Sequence, residues 1–225
     1  MPSTDTTTAT ATDPAEEKVA ITSSRERILQ AAKHLFARNG YENTSTVAIA
    51  REAGTSESQL MKHFGSKQGL LAAILDRGWA AIVLRVQALP GDSRPARRLF
   101  GMLEAVAVEM ERDQELKELM TLEARRVRKD SRDVLVSRGY RQFVELFDTV
   151  LRDMRSRDQI RPELNLQAVR AAFIGMMESL LRDQIVAQRS ELQAGYSFEH
   201  VQQLFSVLVP ALGGEVAPPL KFANG

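Results

Sequence analysis

The sequence predicts an all-α protein in two unequal parts: three short helices and a long fourth, followed by a larger set of long amphipathic helices. Three observations carry this. Apolar residues recur at helical spacing from Ile28 to Leu212, with no β-type alternation. Ser or Asn stands before several of these runs, where helix caps belong. Gly and Pro fall mostly between the runs.

Residues 1–22 repeat Thr and Ser around Pro14 and are expected to form a disordered tail. Ile28, Leu29, Ala32, Leu35 and Phe36 then make one stripe, started by Ser23 or Ser24 and ended at Asn39-Gly40. A second helix fits Thr46 to Ala53, capped by Ser45 and stopped by Gly54. A third fits Glu57 to Phe64, with Ser56 and Gln59 spaced as a capping box. The fourth runs from Ser66 towards Leu89, until Pro90-Gly91-Asp92 breaks it. Two short helices joined by a tight Gly-containing turn are a helix-turn-helix signature.

Longer helices follow. Pro95 suits a first turn, ahead of Leu99, Met102, Leu103, Val106 and Met110. Further helices are expected over about 114–128 and 133–155. Asn165 caps a stripe of Val169, Ala172, Phe173, Met176, Met177, Leu180 and Leu181. The last stripe holds Val201, Leu204, Phe205, Leu208 and Leu212, and residues 215–225 form a loose end. The expected division is therefore 1–22, 23–77, 78–214 and 215–225.

The bulk numbers narrow the function. A hydrophobic fraction of 44% in 225 residues supports a real core. There is no cysteine, which excludes disulfides, thiol nucleophiles and Cys-based metal sites. His34, His63 and His200 are far apart, so no metal is expected. No Gly-rich phosphate loop, nucleophile elbow or paired-carboxylate motif is present, so neither catalysis nor a cofactor is expected. No run approaches the roughly 20 apolar residues of a membrane span, and the start has no secretory apolar core. A soluble, intracellular protein is expected.

Net charge is +1, so affinity for nucleic acid must be local. From Ser24 to Arg77, eight basic residues face five acidic ones. The starts at Ser45 and Ser56 offer free amides to phosphate, with hydroxyls from Thr44, Ser45 and Thr46. The third helix carries an exposed polar set: Thr55, Ser58, Gln59, Lys62 and His63. Such a helix fits the major groove. Gln59 can bond adenine, Lys62 guanine or phosphate, and the Thr55 methyl a thymine. Lys67 is placed for the DNA backbone.

The runs Ile28–Ala32, Leu35–Tyr41, Thr44–Ser56 and His63–Lys67 together resemble the DNA-binding head of the TetR family of transcriptional regulators. The resemblance implies phosphate contacts at Tyr41, Thr44 to Thr46 and Lys67, and recognition contacts at Ser58, Gln59, Lys62 and His63. Three residues depart from the pattern. Glu57 replaces a frequent Lys or Arg, and would repel phosphate or accept from a cytosine amino group. Met61 replaces a usual Tyr, and Ala48 an acidic capping partner.

The resemblance further implies a repressor released from a palindromic double-stranded operator by a small molecule, acting as a homodimer in a bacterial cytoplasm at the nucleoid. Met102, Met110, Met120, Phe143, Phe147 and Met176 are the candidate lining of an apolar pocket. Phe173, Met177, Leu180, Leu181, Val201, Leu204, Phe205 and Leu208 are the candidate dimer face, or alternatively face their own core. Trp79 is expected to pack at the junction of the two parts. Glu104, Glu123 and Glu178 are expected to be exposed or ion-paired, and the Arg125–Lys129 cluster to be a solvated face. Two other functions stay open: a ligand-independent architectural DNA binder, and a helical ligand-binding protein whose head no longer binds DNA.

Overall fold

Serine caps set the first four helices. Ser23 accepts from the Glu26 amide (3.2 Å) and starts α1, Ser24–Asn39. Ser45 accepts from Ala48 (3.1 Å) and starts α2, Thr46–Glu52. Ser56 accepts from Gln59 (3.2 Å) and starts α3, Glu57–Phe64. Ser66 accepts from Gly69 (2.9 Å) and starts α4, Lys67–Gln87. Each bond satisfies an amide that a helix start leaves open, a contribution of about 1 kcal/mol. Gly54 makes the α2–α3 turn at φ +60°, where a Cβ is strained. The next amide, Thr55, donates back to Ala50 at 2.9 Å.

The computed structural model describes residues 23–90, 94–123, 137–190 and 195–214. The expected tail, the 215–225 end and the Arg125–Lys129 cluster lie outside these residues. After α4 come α5 (Pro95–Arg112), α6 (Gln114–Glu118), a π-helical turn (Leu119–Glu123), α7 (Arg138–Ser156), α8 (Leu166–Arg189) and α9 (Phe198–Ala211). No strand occurs among the described residues. No described helix is long and apolar enough to cross a membrane.

The head core joins Ile28, Leu29, Ala32 and Phe36 of α1 to Ile49, Leu60, Leu70 and Leu71 of the next three helices. Arg27 Nε donates to the Ala53 carbonyl at 3.1 Å, closing α1 on the end of α2. The Arg25 guanidinium lies 5.3 Å above the Phe64 ring and ties α1 to α3.

The fourth helix belongs to both parts. Its 21 residues span about 31 Å. It buries Leu70, Leu71, Ile74 and Leu75 near the head, and Ile82, Val83 and Val86 further on. It then packs on α5 and α7. At the α7 crossing a Cβ on Gly139 would stand 2.5 Å from Trp79 Cβ, so only glycine permits the approach. The Gly139 amide donates to Asp76 Oδ1 at 2.9 Å.

A second bridge joins head to body. Lys33 of α1 meets Asp113 at 2.6 Å and Glu115 at 3.6 Å, and His34 Nδ1 meets Glu115 at 2.7 Å. Asp113 also accepts from the Leu116 amide at 3.0 Å, capping α6. Behind it Lys117 is 1% exposed, its ammonium donating to Gln184 of α8 at 2.9 Å. No local pattern marks this lysine as internal, because its partner stands 67 positions away.

Tyr196, ahead of α9, donates its hydroxyl to the Leu180 carbonyl at 2.8 Å. Burial first, then the Asp183 carboxylate, raise its pKa to about 12. The folded state thus holds the neutral phenol more tightly than the unfolded chain. That contribution is full below about pH 10 and disappears as pH climbs towards 12. Ultraviolet titration should show a late tyrosinate step that Tyr196→Phe removes.

Candidate nucleic-acid interface and interior cavity

Leu60 is the only buried residue of α3 and points into the head at 0% exposure. Phe64 is half-buried beside it. These two fix which way the helix faces. Ser58, Gln59, Lys62 and His63 consequently point to solvent, as do Ser56, Glu57 and Met61. A protruding helix with a polar outer face and a pinned inner one has the shape needed to enter a major groove.

Around it the expected phosphate contacts are arranged less uniformly. Ser45 is exposed, and Thr55 is half-buried in the turn. Lys67 Nζ lies 4.4 Å over the Tyr41 ring and donates to the Glu42 carbonyl at 3.3 Å. The Tyr41 ring is itself buried, 5.2 Å from Phe36. Thr44 corrects the sequence expectation. It is 3% exposed, and its hydroxyl lies against the carbonyls of Leu35 (3.1 Å) and Gly40 (2.9 Å). It closes the end of α1 and does not present a donor to DNA.

Glu57 has a defined place. Its carboxylate accepts from the Thr46 hydroxyl, linking the starts of α2 and α3. Glu57 therefore occupies Thr46 and puts a negative charge where phosphate is expected. Glu57→Gln keeps an acceptor for Thr46 and removes the charge. It should tighten DNA binding by roughly three- to tenfold at low salt, with a smaller gain at high salt. Anisotropy titrations at two salt concentrations measure this.

Inside the body a cavity of about 40 Å³ lies between α4, α5, the π turn, α7 and α8. Met110, Met120, Phe143 and Phe147 of the candidate lining stand in its wall. Met102 and Met176 are not in its wall; Met102 is fully buried elsewhere in the core. Trp79 and Met177 are in the wall instead, with Thr121 and Glu178 as its polar members. Trp79 packs 5.1 Å from Tyr140 and 5.0 Å from Phe143, so it is both a junction residue and part of the lining. Its place in the cavity wall has no signal in the sequence, because Tyr140 and Phe143 stand more than 60 positions away.

A model of bacterial regulatory proteins of the tetR family matches residues 28–74, which run from α1 into α4. The match covers the head alone, 47 of the 225 residues. Over most of its length the chain is similar to the nucleoid occlusion factor SlmA of Photobacterium profundum, with 26% identity across 82% of this chain and 95% of that one. The fold is that of the fatty acid degradation regulator FadR of Bacillus halodurans, with a TM-score of 0.73 and 16% identity over 84% of this chain and 95% of that one. FadR of Bacillus subtilis, solved with stearoyl-CoA, has a TM-score of 0.70 and 15% identity over 84% and 98%.

The candidate dimer face divides. Phe173, Met177, Leu181, Val201 and Phe205 are buried in the protomer's own core, where the Phe173 and Phe205 rings stack at 5.8 Å. They correct the expectation that these stripes are held for a second copy. Leu204 remains outside, 41% exposed, with Leu180 and Leu208 half-buried. Val207, which the stripe pattern missed, is 68% exposed beside them. On α8, Ala168, Ala171 and Ala172 are exposed, and Gly175 has open space before it.

Proposed function

We propose that this chain is a homodimeric transcriptional repressor, released from a palindromic operator by a small, largely apolar ligand. The observation that carries the reading is α3, pinned by Leu60 with Ser58, Gln59, Lys62 and His63 outward. Two copies would set two such helices about 34 Å apart, one DNA turn. Leu204 and Val207, with the small residues of α8, supply an outer face on which a second copy can pack closely.

Support for the ligand comes from the apolar cavity, and from the stearoyl-CoA bound by the Bacillus subtilis relative in fold. At about 40 Å³ the cavity is well short of the roughly 300 Å³ of an ordinary ligand pocket. An effector must therefore part the helices, and Met110, Met120 and Met177 make the wall adaptable. Met120 and Thr121 line the cavity from the π turn, which continues α6. Six and eight residues before Thr121, Glu115 of α6 and its cap Asp113 hold His34 and Lys33 of the head. Widening the cavity thus displaces the segment on which α1 rests. Ligand and operator then favour different head spacings, the differential binding that release requires.

Selection of bound DNA sequences, followed by footprinting, tests the operator; a bound population without a two-fold motif refutes it. A ligand that changes Trp79 fluorescence yet leaves operator affinity unaltered refutes the release step. The likeness to SlmA over 82% of the chain, with so small a cavity, favours a second reading: a ligand-independent, nucleoid-associated DNA binder. Genome-wide mapping separates the two, since the second requires many dispersed sites.

A further inference from the structure

The end of α4 away from the recognition helix lies about 31 Å along it, where α5 packs alongside. An open groove of about 1050 Å³ lies there. Leu89, Pro90 and Phe100 supply its apolar surface, and Arg94, Arg97 and Arg98 its charge. Arg94 and Arg97 are exposed and Arg98 is half-buried. None of the three forms an ion pair among the described residues. The only carboxylate among the described lining residues, Glu104, accepts from Gln202 of α9 at 3.3 Å. The nearby Glu109 holds Arg85 and Arg112. Among its described lining residues the groove thus carries three guanidinium groups against one carboxylate, next to apolar surface.

We propose that this groove is a second ligand site, separate from the inner cavity, for an amphiphile with a phosphate or carboxylate headgroup. Guanidinium groups match the paired oxygens of such a headgroup and are more weakly hydrated than ammonium groups. An inorganic anion would leave Leu89, Pro90 and Phe100 wet; a purely apolar molecule would leave the arginines without a partner. Only a ligand with both ends satisfies the whole lining. The volume is that of a small-molecule site, roughly 300–1,000 Å³. The length of α4 between this groove and α3 excludes it from the head's own DNA footprint. An occupant spans the end of α4 and the first turns of α5, whether or not the inner cavity takes a ligand.

Calorimetric titration of the full chain with monododecyl phosphate, kept below its micelle-forming concentration, tests the site. Inorganic phosphate and 1-dodecanol serve as the two half-ligands. Saturable binding is expected, at least about tenfold tighter than inorganic phosphate. Arg97→Gln with Arg98→Gln should weaken it about tenfold or more, and the double lysine variant less. The glutamine variant should keep its melting temperature and its DNA affinity. Binding should leave Trp79 fluorescence unchanged, because Trp79 reports the inner cavity. Absence of binding, equal binding to the glutamine variant, or binding equal to that of 1-dodecanol overturns the proposal. Co-sedimentation with phosphatidylglycerol vesicles but not phosphatidylcholine vesicles, lost in the glutamine variant, assigns the headgroup to a lipid. Soluble binding alone assigns it to a free metabolite. Preference for an acidic peptide over dodecyl phosphate makes the groove a protein-docking surface and also overturns the proposal.

Discussion

Alanine at both Gln59 and Lys62 is expected to remove sequence-specific DNA binding while leaving the fold untouched. Both side chains are exposed on the outer face of α3, and neither makes a hydrogen bond or ion pair among the described residues. Their removal therefore costs the folded state little. A good contact to a base edge discriminates by about 1–3 kcal/mol. Two such contacts per head amount to about 2–6 kcal/mol, or roughly 30-fold to more than 10⁴-fold in affinity. Anisotropy titration at one fixed salt concentration, on a selected operator and on scrambled DNA, measures the effect. The variant should bind the two DNAs alike, at the level the remaining basic residues give. Retained preference for the operator would show that the outer face of α3 does not read bases.

Leu60→Ala should abolish DNA binding by a different route. Leu60 is fully buried and is the main anchor of α3 in the head core, with half-buried Phe64 beside it. Truncating a leucine in such a place costs about 2–5 kcal/mol, against a total stability of about 5–15 kcal/mol for a domain. The eight residues of α3 are too few to stay helical without that anchor. Hydrogen exchange should show the α3 amides losing protection first, with α5 and α7 retaining theirs. Met61→Ala is the control. Its neighbouring side chain is 41% exposed, and its loss should alter stability by no more than about 0.5 kcal/mol. Unchanged α3 protection in Leu60→Ala would mean that the helix is held by something other than this side chain.

The parts of the protein legible in the sequence are those with local causes. The α3 boundaries follow from Ser56 and from Gly65 just beyond Phe64, and the structure places α3 over the expected residues. The caps at Ser23, Ser45 and Asn165 were readable for the same reason. Thr44 was not, because its partners are carbonyls of α1 that the turn at Gly40 brings back to it. The α8 and α9 stripes show the limit of periodicity. It reveals that Phe173 and Phe205 face something apolar, but not that each faces the other within one protomer. Met102 and Met110 share one stripe on α5, yet only Met110 reaches the cavity wall. Which one does depends on how α4 and α7 cross, set in part by the Gly139–Trp79 approach. The three arginines of the α4–α5 groove pass unnoticed in sequence, since the pattern does not tell which carboxylates elsewhere are already engaged.

The unbroken α4 acts as a mechanical arm. A stiff rod about 31 Å long converts a tilt of about 10° at one end into a displacement of roughly 5 Å at the other. One base-pair step along DNA is about 3.4 Å. A rotation too small to disturb the packing of Ile82, Val83 and Val86 therefore carries a head past more than one step of the groove. In the proposed dimer, angular gain of this kind means that the body needs only a slight rearrangement to put two heads out of register with their half-sites.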